Sequence, residues 1–228
     1  MIYKQEKLYI LDNTLTQKST LETSQKIAIA KALEKLKVDV IAVAVDDDLT
    51  GIFSEVQSST LAVTCKPLKK DLEKAADFIL KAKKPRLRIV LTEDLLKDID
   101  LNNVQDKKDV IKLVKDSIAF AKEKCDDVEF IIENFDKIRK LFIYRLVELA
   151  TDAGAQTISI TDENGTMLAS EYGDLFRVTI ENTPDLGDIK LGAMAKQTLG
   201  FANASNIEAV KNGARQIELN LYNFRCAE

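Results

Sequence analysis

The sequence predicts an α/β protein, a (β/α)8 TIM barrel lacking the last helix, and three observations carry that prediction. Eight short β-branched runs alternate with longer stretches of helical period. Seven long crossovers join them, which most simply closes the strands into a barrel of about the usual size. No glycine-rich phosphate loop follows the first run, as an open dinucleotide-binding sheet would require.

The elements follow in order. LYIL at 8–11 is the first strand, and apolar residues at three- and four-residue spacing over 24–36 form the first helix. VDVIAVAV at 38–45 is the second strand, followed by a helix over 49–57. LAVTC at 61–65 leads into a helix over 67–82, which Pro67 opens because a missing N–H is harmless in a first turn. LRIVL at 87–91 precedes a helix over 107–124, and VEFII at 128–132 precedes one over 138–153. TISI at 157–160 and IKLGA at 189–193 are followed by helices over 167–181 and 202–212, and QIELNL at 216–221 is the eighth strand. Gly154 and Gly213 stand between a helix and a strand, where a left-handed terminus suits glycine.

The 228 residues, 46% hydrophobic with no obvious linker, predict one domain over 1–228. The chain ends a few residues after the eighth strand, so the helix that covers it is expected to be missing. An uncovered apolar strand face is an interface or a liability, which predicts a partner subunit or self-association there.

A net charge of −4 argues against a nucleic-acid partner. The basic runs 66–70 and 81–88, interleaved with apolar residues and proline, read as solvated helix ends. No apolar stretch approaches the roughly 20 residues of a membrane span, and the start MIYKQEKLYI lacks the apolar middle of a signal peptide, so a cytoplasmic protein is expected. Cys65, Cys125 and Cys226 are odd in number and widely spaced, and are expected to be free thiols. The absence of histidine removes both the commonest transition-metal ligand and the usual acid or base near neutral pH.

The segment LDNTLTQKSTLETSQKIAIAKALEKLKVDVIAVAV resembles the opening of the homocitrate, isopropylmalate and citramalate synthases and their lyase cousins, whose first strand runs Asp-Thr-Thr-Leu-Arg-Asp-Gly. DDVEFIIENFDKIRKLFIYRLVELATDAGAQTISITDENG is similar to that family's fifth and sixth strands. NTPDLGDIKLGAMAKQTLGFANASNIEAVKNGARQIE is similar to its seventh strand through its eighth. The resemblance implies a barrel and a Claisen-type condensation of acetyl-CoA with a 2-oxo acid, assisted by a divalent metal acting as Lewis acid. It also implies metal ligands from the Asp of Arg-Asp-Gly and the two histidines of a His-x-His-Asn-Asp motif.

At those positions this chain departs from the family. Thr16, Gln17 and Lys18 replace Arg-Asp-Gly, and Met194, Ala195, Lys196, Gln197 and Thr198 replace His-x-His-Asn-Asp. A cationic lysine in place of an imidazole repels a divalent cation, so the expectation is that the family's metal is lost and no metal ligand remains. Ala42 stands where the family has a Glu after Asp-Val-Ile, and Glu163 stands where a Thr would bind the substrate carboxylate. Glu133, retained from the family, and Lys196, which departs from it, are the candidate catalytic residues, and Asp12, Glu129, Asp162 and Gln197 are the candidate substrate-binding residues. Thr14, Leu15 and Gly165 keep the frame around them.

Three functional expectations follow. The first is a metal-deficient, partner-dependent subunit of a homocitrate-synthase-like enzyme, similar to the short chain of the split homocitrate synthases of nitrogen-fixing bacteria, with a catalytic paralogue as partner and acetyl-CoA as co-substrate. The second is a diverged enzyme that uses Lys196 as a Schiff-base nucleophile among Glu133, Asp162, Glu163 and Lys18. The third is a binding protein without catalysis.

Overall fold

A computed structural model describes residues 7–16, 21–45, 47–97, 99–134, 138, 140–183 and 185–221, and at 47 and 48 the backbone alone. Eight parallel strands close into a barrel in chain order: β1 (Tyr9–Leu15), β2 (Val40–Val43), β3 (Thr60–Cys65), β4 (Pro85–Leu91), β5 (Val128–Glu133), β6 (Thr157–Asp162), β7 (Lys190–Ala195) and β8 (Gln216–Leu219). β8 returns to β1 with Leu11 opposite Glu218, so no strand edge remains open. The helices are α1 (Thr23–Lys35), α2 (Ile52–Glu55), α3 (Lys69–Ile79), α4 (Glu93–Leu96), α5 (Val104–Lys124), α6 (Lys140–Asp152), α7 (Ala169–Asn182) and α8 (Ala202–Lys211).

Local chemistry sets these boundaries. Asn103 caps α5 by accepting from the Gln105 and Asp106 amides, and Lys122 and Lys124 face the negative end of its dipole. Glu22 and Gln25 form a reciprocal capping box at the start of α1. Gly154 and Gly213 have φ of +95° and +112°, the left-handed termini expected of them. A Cβ on Gly213 would also meet the Ile180 Cδ1 at 2.2 Å.

Three elements differ from the sequence reading. The segment expected as a helix over 49–57 is a 3-10 turn, Asp47–Gly51, followed by the single turn α2, too short a run to sustain regular α-helix. Pro67 does not open α3, because Leu68 holds an extended backbone as the N-cap and the helix starts at Lys69. The one-turn α4 after β4 was not foreseen, since four residues show no period. Among the described residues no helix follows β8. The expected loss of a final helix falls on 222–228, which lie outside the described residues together with Cys226. No helix among the described residues is long and apolar enough to cross a membrane.

The larger core lies between strands and helices, where Val63, Leu87, Ile89, Ile158 and Ile160 meet Ile79, Val114, Ile118 and Val147. Each such side chain contributes on the order of 1.5–3 kcal/mol by leaving water. A separate small cluster, Leu11, Val40, Ala42 and Ala62, fills the lumen beside β1–β3. Alternation along β4 sends Leu87, Ile89 and Leu91 outward into the large core and Arg86 and Arg88 into the lumen. The basic run 81–88 is therefore not wholly a solvated helix end: Arg86 and Arg88 are 4% and 2% exposed, because β4 carries them inside the barrel.

Candidate functional site

The lumen beside β4–β8 is held by an ionic lattice. Arg88 Nε donates to Glu129 Oε2 at 3.0 Å and its Nη2 to Glu129 Oε1 at 3.3 Å, and Nη2 also pairs with Glu218. Arg86 Nη1 donates to Glu129 Oε2 at 3.3 Å and to Gln216 Oε1 at 2.7 Å, while its Nε reaches Asp127 at 2.9 Å. Ser159 Oγ and Gln216 Nε2 donate to Glu129 Oε1 at 2.6 and 3.0 Å. Gly192 makes room for this arrangement, since a Cβ there would lie 2.0 Å from the Ser159 Oγ. Burial opposes the charge on Glu129, yet Arg88 and Arg86 hold its carboxyl below the usual value. Arg88 is likewise held above its usual value against burial by Glu129 and Glu218.

Above the lattice, at the carboxyl ends of the strands, lies a cavity of about 530 Å3. This is the end at which barrels of this class place their functional loops. Its polar lining includes Asn13, Arg88, Glu133, Thr161, Glu163, Lys196, Gln197, Asn206 and Glu218. A second cavity, of about 570 Å3, opens at the opposite end around Lys7, Tyr9, Lys84, Arg86 and Lys190.

The candidate residues divide between mouth and frame. Glu133, Lys196 and Gln197 line the mouth cavity, whereas Asp12, Glu129 and Asp162 do not. Gln197 Oε1 accepts from the Ala202 amide at 3.1 Å and so holds the entry to α8. Asp12 accepts from the Thr14 amide at 2.9 Å within β1, and burial raises its carboxyl above the usual range. Asp162 shapes the loop after β6, accepting from the Gly165 and Met167 amides at 2.8 and 3.2 Å, while its carbonyl accepts from the Lys196 amide at 2.9 Å. Gly165, at φ +63°, passes so close to Lys196 that a Cβ would lie 2.2 Å from its carbonyl oxygen, which fixes Lys196 against the Glu163 loop. Tyr172 pins β6 to β7 from outside, its hydroxyl donating to the Ile160 carbonyl at 2.7 Å and accepting from the Met194 amide at 2.9 Å.

Two mouth carboxyls stand apart electrostatically. Burial, then the charges of Glu133 and Glu218, push Glu163 up to about 7. Burial, then Glu93 and Asp94, also raise Glu133. Thr16 lines the cavity, and Gln17 and Lys18 lie outside the described residues. Sequence reasoning missed Arg86, Arg88, Asn13, Asn206 and Glu218. For the arginines the signal was present: once PRLRIVL is a strand with Leu87 and Ile89 facing helices, its arginines must face the lumen.

Fold and site thus define a parallel β/α barrel with a polar, ionisable cavity at the carboxyl ends of its strands. A family model described as HMGL-like matches residues 9–222, and the chain belongs to that family. It is 34% identical over 228 residues to a 2-isopropylmalate synthase of Gloeothece citriformis, covering 93% of this chain and 42% of that protein. It is 31% identical to a 2-isopropylmalate synthase of Aquifex aeolicus, covering 93% of this chain and 43% of that one. The chain therefore spans less than half the length of these relatives. Among solved structures, the hydroxymethylglutaryl-CoA lyase of Pseudomonas aeruginosa superposes with a TM-score of 0.72 at 16% identity, covering 94% of this chain and 76% of that one. The carboxyl transferase domain of Rhizobium etli pyruvate carboxylase superposes with a TM-score of 0.67, also at 16% identity, covering 95% and 40%. These two likenesses concern the fold.

Proposed function

We propose that this chain is a 2-isopropylmalate-synthase-like barrel that carries no catalytic metal of its own and acts as a subunit with a catalytic paralogue. The observation that carries this reading is Lys196, which lines the mouth cavity at a position where the resembling synthases place an imidazole. A divalent cation there would face the positive charges of Lys196 and Arg88, with the Glu218 carboxylate already engaged by Arg88 and Asn13 and with Glu133 and Glu163 as the remaining carboxylates. Among the described residues no three Asp, Glu or Cys side chains gather as a metal-binding group, so this donor set does not fit the family's metal. Met194 adds only a thioether, a soft donor unsuited to a hard cation.

In this reading the barrel supports a partner that condenses acetyl-CoA with a 2-oxo acid, 2-oxoglutarate if the pair is of the homocitrate-synthase type, in the cytoplasm. Cys65 and Cys125 suit a reducing compartment, being free and buried, with burial pushing the Cys65 thiol up to about 12. The test is metal content and coenzyme A thiol release with 2-oxoglutarate and 2-oxoisovalerate, on the pure chain and after mixing with a full-length 2-isopropylmalate synthase. Activity changed only in the mixture is the expected outcome. Bound metal with activity in the lone chain overturns the proposal.

One observation favours a second reading. A carboxyl titrating near neutrality, Glu163, shares the cavity with Lys196, an arrangement suited to moving protons about a lysine Schiff base. Borohydride trapping of a 2-oxo acid on Lys196, absent in K196M, is its test, and failure across a panel of carbonyl compounds removes it.

A further inference from the structure

Buried polar atoms are nearly always hydrogen-bonded, so those left single in one place call for an explanation. Two nine-tenths-buried side chains lining the mouth hold such an atom: Thr161 Oγ1, on a residue 2% exposed, and Asn206 Oδ1, on a residue 6% exposed. The half-buried Asn13 supplies a third. Its Nδ2 is committed to the Glu218 carboxylate at 2.6 Å, which fixes the amide so that Oδ1 is the unpartnered atom. The two amide oxygens accept only, and the Thr161 hydroxyl can accept as well as donate. Glu133 and Glu163 line the same cavity, and among the described residues neither takes part in a salt bridge. Among the described residues, the cavity lining offers these acceptors one cation outside the ionic lattice, Lys196.

We propose that the mouth cavity binds a small aliphatic amine, whose ammonium group is taken up by Glu133 and Glu163 and whose N–H bonds satisfy the unpartnered oxygens of Thr161 and Asn206. The amine replaces the proton that Glu163 otherwise carries: burial and the neighbouring carboxylates hold that proton on near neutrality, and an incoming ammonium relieves the same repulsion. Lys196, just after β7, and Arg88 on β4 oppose the effect, while Glu133 on β5 and Glu218 on β8 add to it. This deepens the metal-free reading of the same cavity and rests on it, since a resident divalent cation would occupy the same carboxylates.

Titration calorimetry with 1,4-diaminobutane, and with succinate as a chain of similar length and opposite charge, tests the proposal. Saturable one-to-one binding of the diamine and none of succinate is expected. E163Q is expected to weaken the diamine by about tenfold, equal to about 1.4 kcal/mol. T161V keeps the shape and removes the hydroxyl, so it is expected to weaken binding several-fold while raising the melting temperature of the free protein. A purely structural threonine would not give that opposition. No saturable diamine binding, succinate binding more tightly, or E163Q binding as well as the parent chain overturns the amine site. Manganese titrated separately distinguishes the two readings. Manganese that binds and is displaced by the diamine overturns the metal-free reading and, with it, the amine as the cavity's own ligand. Absence of both overturns the amine site alone.

Discussion

The two sides of the barrel lumen are filled by opposite means. Beside β1–β3 it is plain apolar packing by Leu11, Val40, Ala42 and Ala62, while beside β4–β8 it is charge: Arg86, Arg88, Glu129 and Glu218 with Ser159 and Gln216. The apolar side depends on volume alone, so any similar side chains would serve. The ionic side depends on completeness, because each member desolvates the others and a missing partner strands a buried charge. Removing one charged residue of the ionic side should therefore do more harm than removing one apolar side chain opposite it, although building the lattice adds little net stability over an apolar filling.

The largest effect is expected from R88M, which leaves Glu129 and Glu218 facing each other without their shared cation. Urea unfolding should show a loss of about 3–5 kcal/mol. A loss under about 1 kcal/mol would mean that water enters the lumen and the contrast is false. L11A, on the apolar side, should cost about 2–4 kcal/mol and, unlike R88M, should not vary with pH. S159A removes one of several donors to Glu129 and should cost about 1–2 kcal/mol by the same measurement.

The mildest test uses pH and two glutamates of opposite sense. Glu163 has a folded value near 7 against an ordinary 4.5, so the folded chain keeps a proton the unfolded chain has lost. Its contribution therefore favours folding less as pH rises from about 4.5 to 7, and E163Q should remove that slope. Glu34, on α1, accepts from the Ser58 and Ser59 amides at 2.7 and 2.9 Å. Partial burial raises it, but the bonds from Ser58 and Ser59 hold it at about 2. Its stabilisation is present above pH 4.5 and is lost as pH falls towards 2, so E34Q should flatten the acid limb of the melting curve.

The fold was legible because strand and helix identity are carried by periodicities local to each segment. Gly154 and Gly213 needed only their own neighbours to be read. Glu129 shows where such reading stops. Its sequence neighbours do not say that Arg88, 41 residues away, and Gln216, 87 residues away, enclose it inside the barrel. Glu133, four residues further along β5, reaches the mouth. The resemblance placed both acids on one strand, and only closure of the barrel separates a lattice member from a cavity group. Asn206 was invisible for a related reason: a polar residue on a helix reads as solvent-facing until α8 is seen to press it against the cavity.

The lattice also governs traffic. The mouth cavity reaches down to Arg88 and Glu218, the cavity at the far end reaches up to Arg86, and Glu129 joins the two arginines between them without lining either. The barrel is therefore a cup with a floor and not a tube. A molecule entering the mouth must leave by the same opening, and two molecules can use the site only in turn.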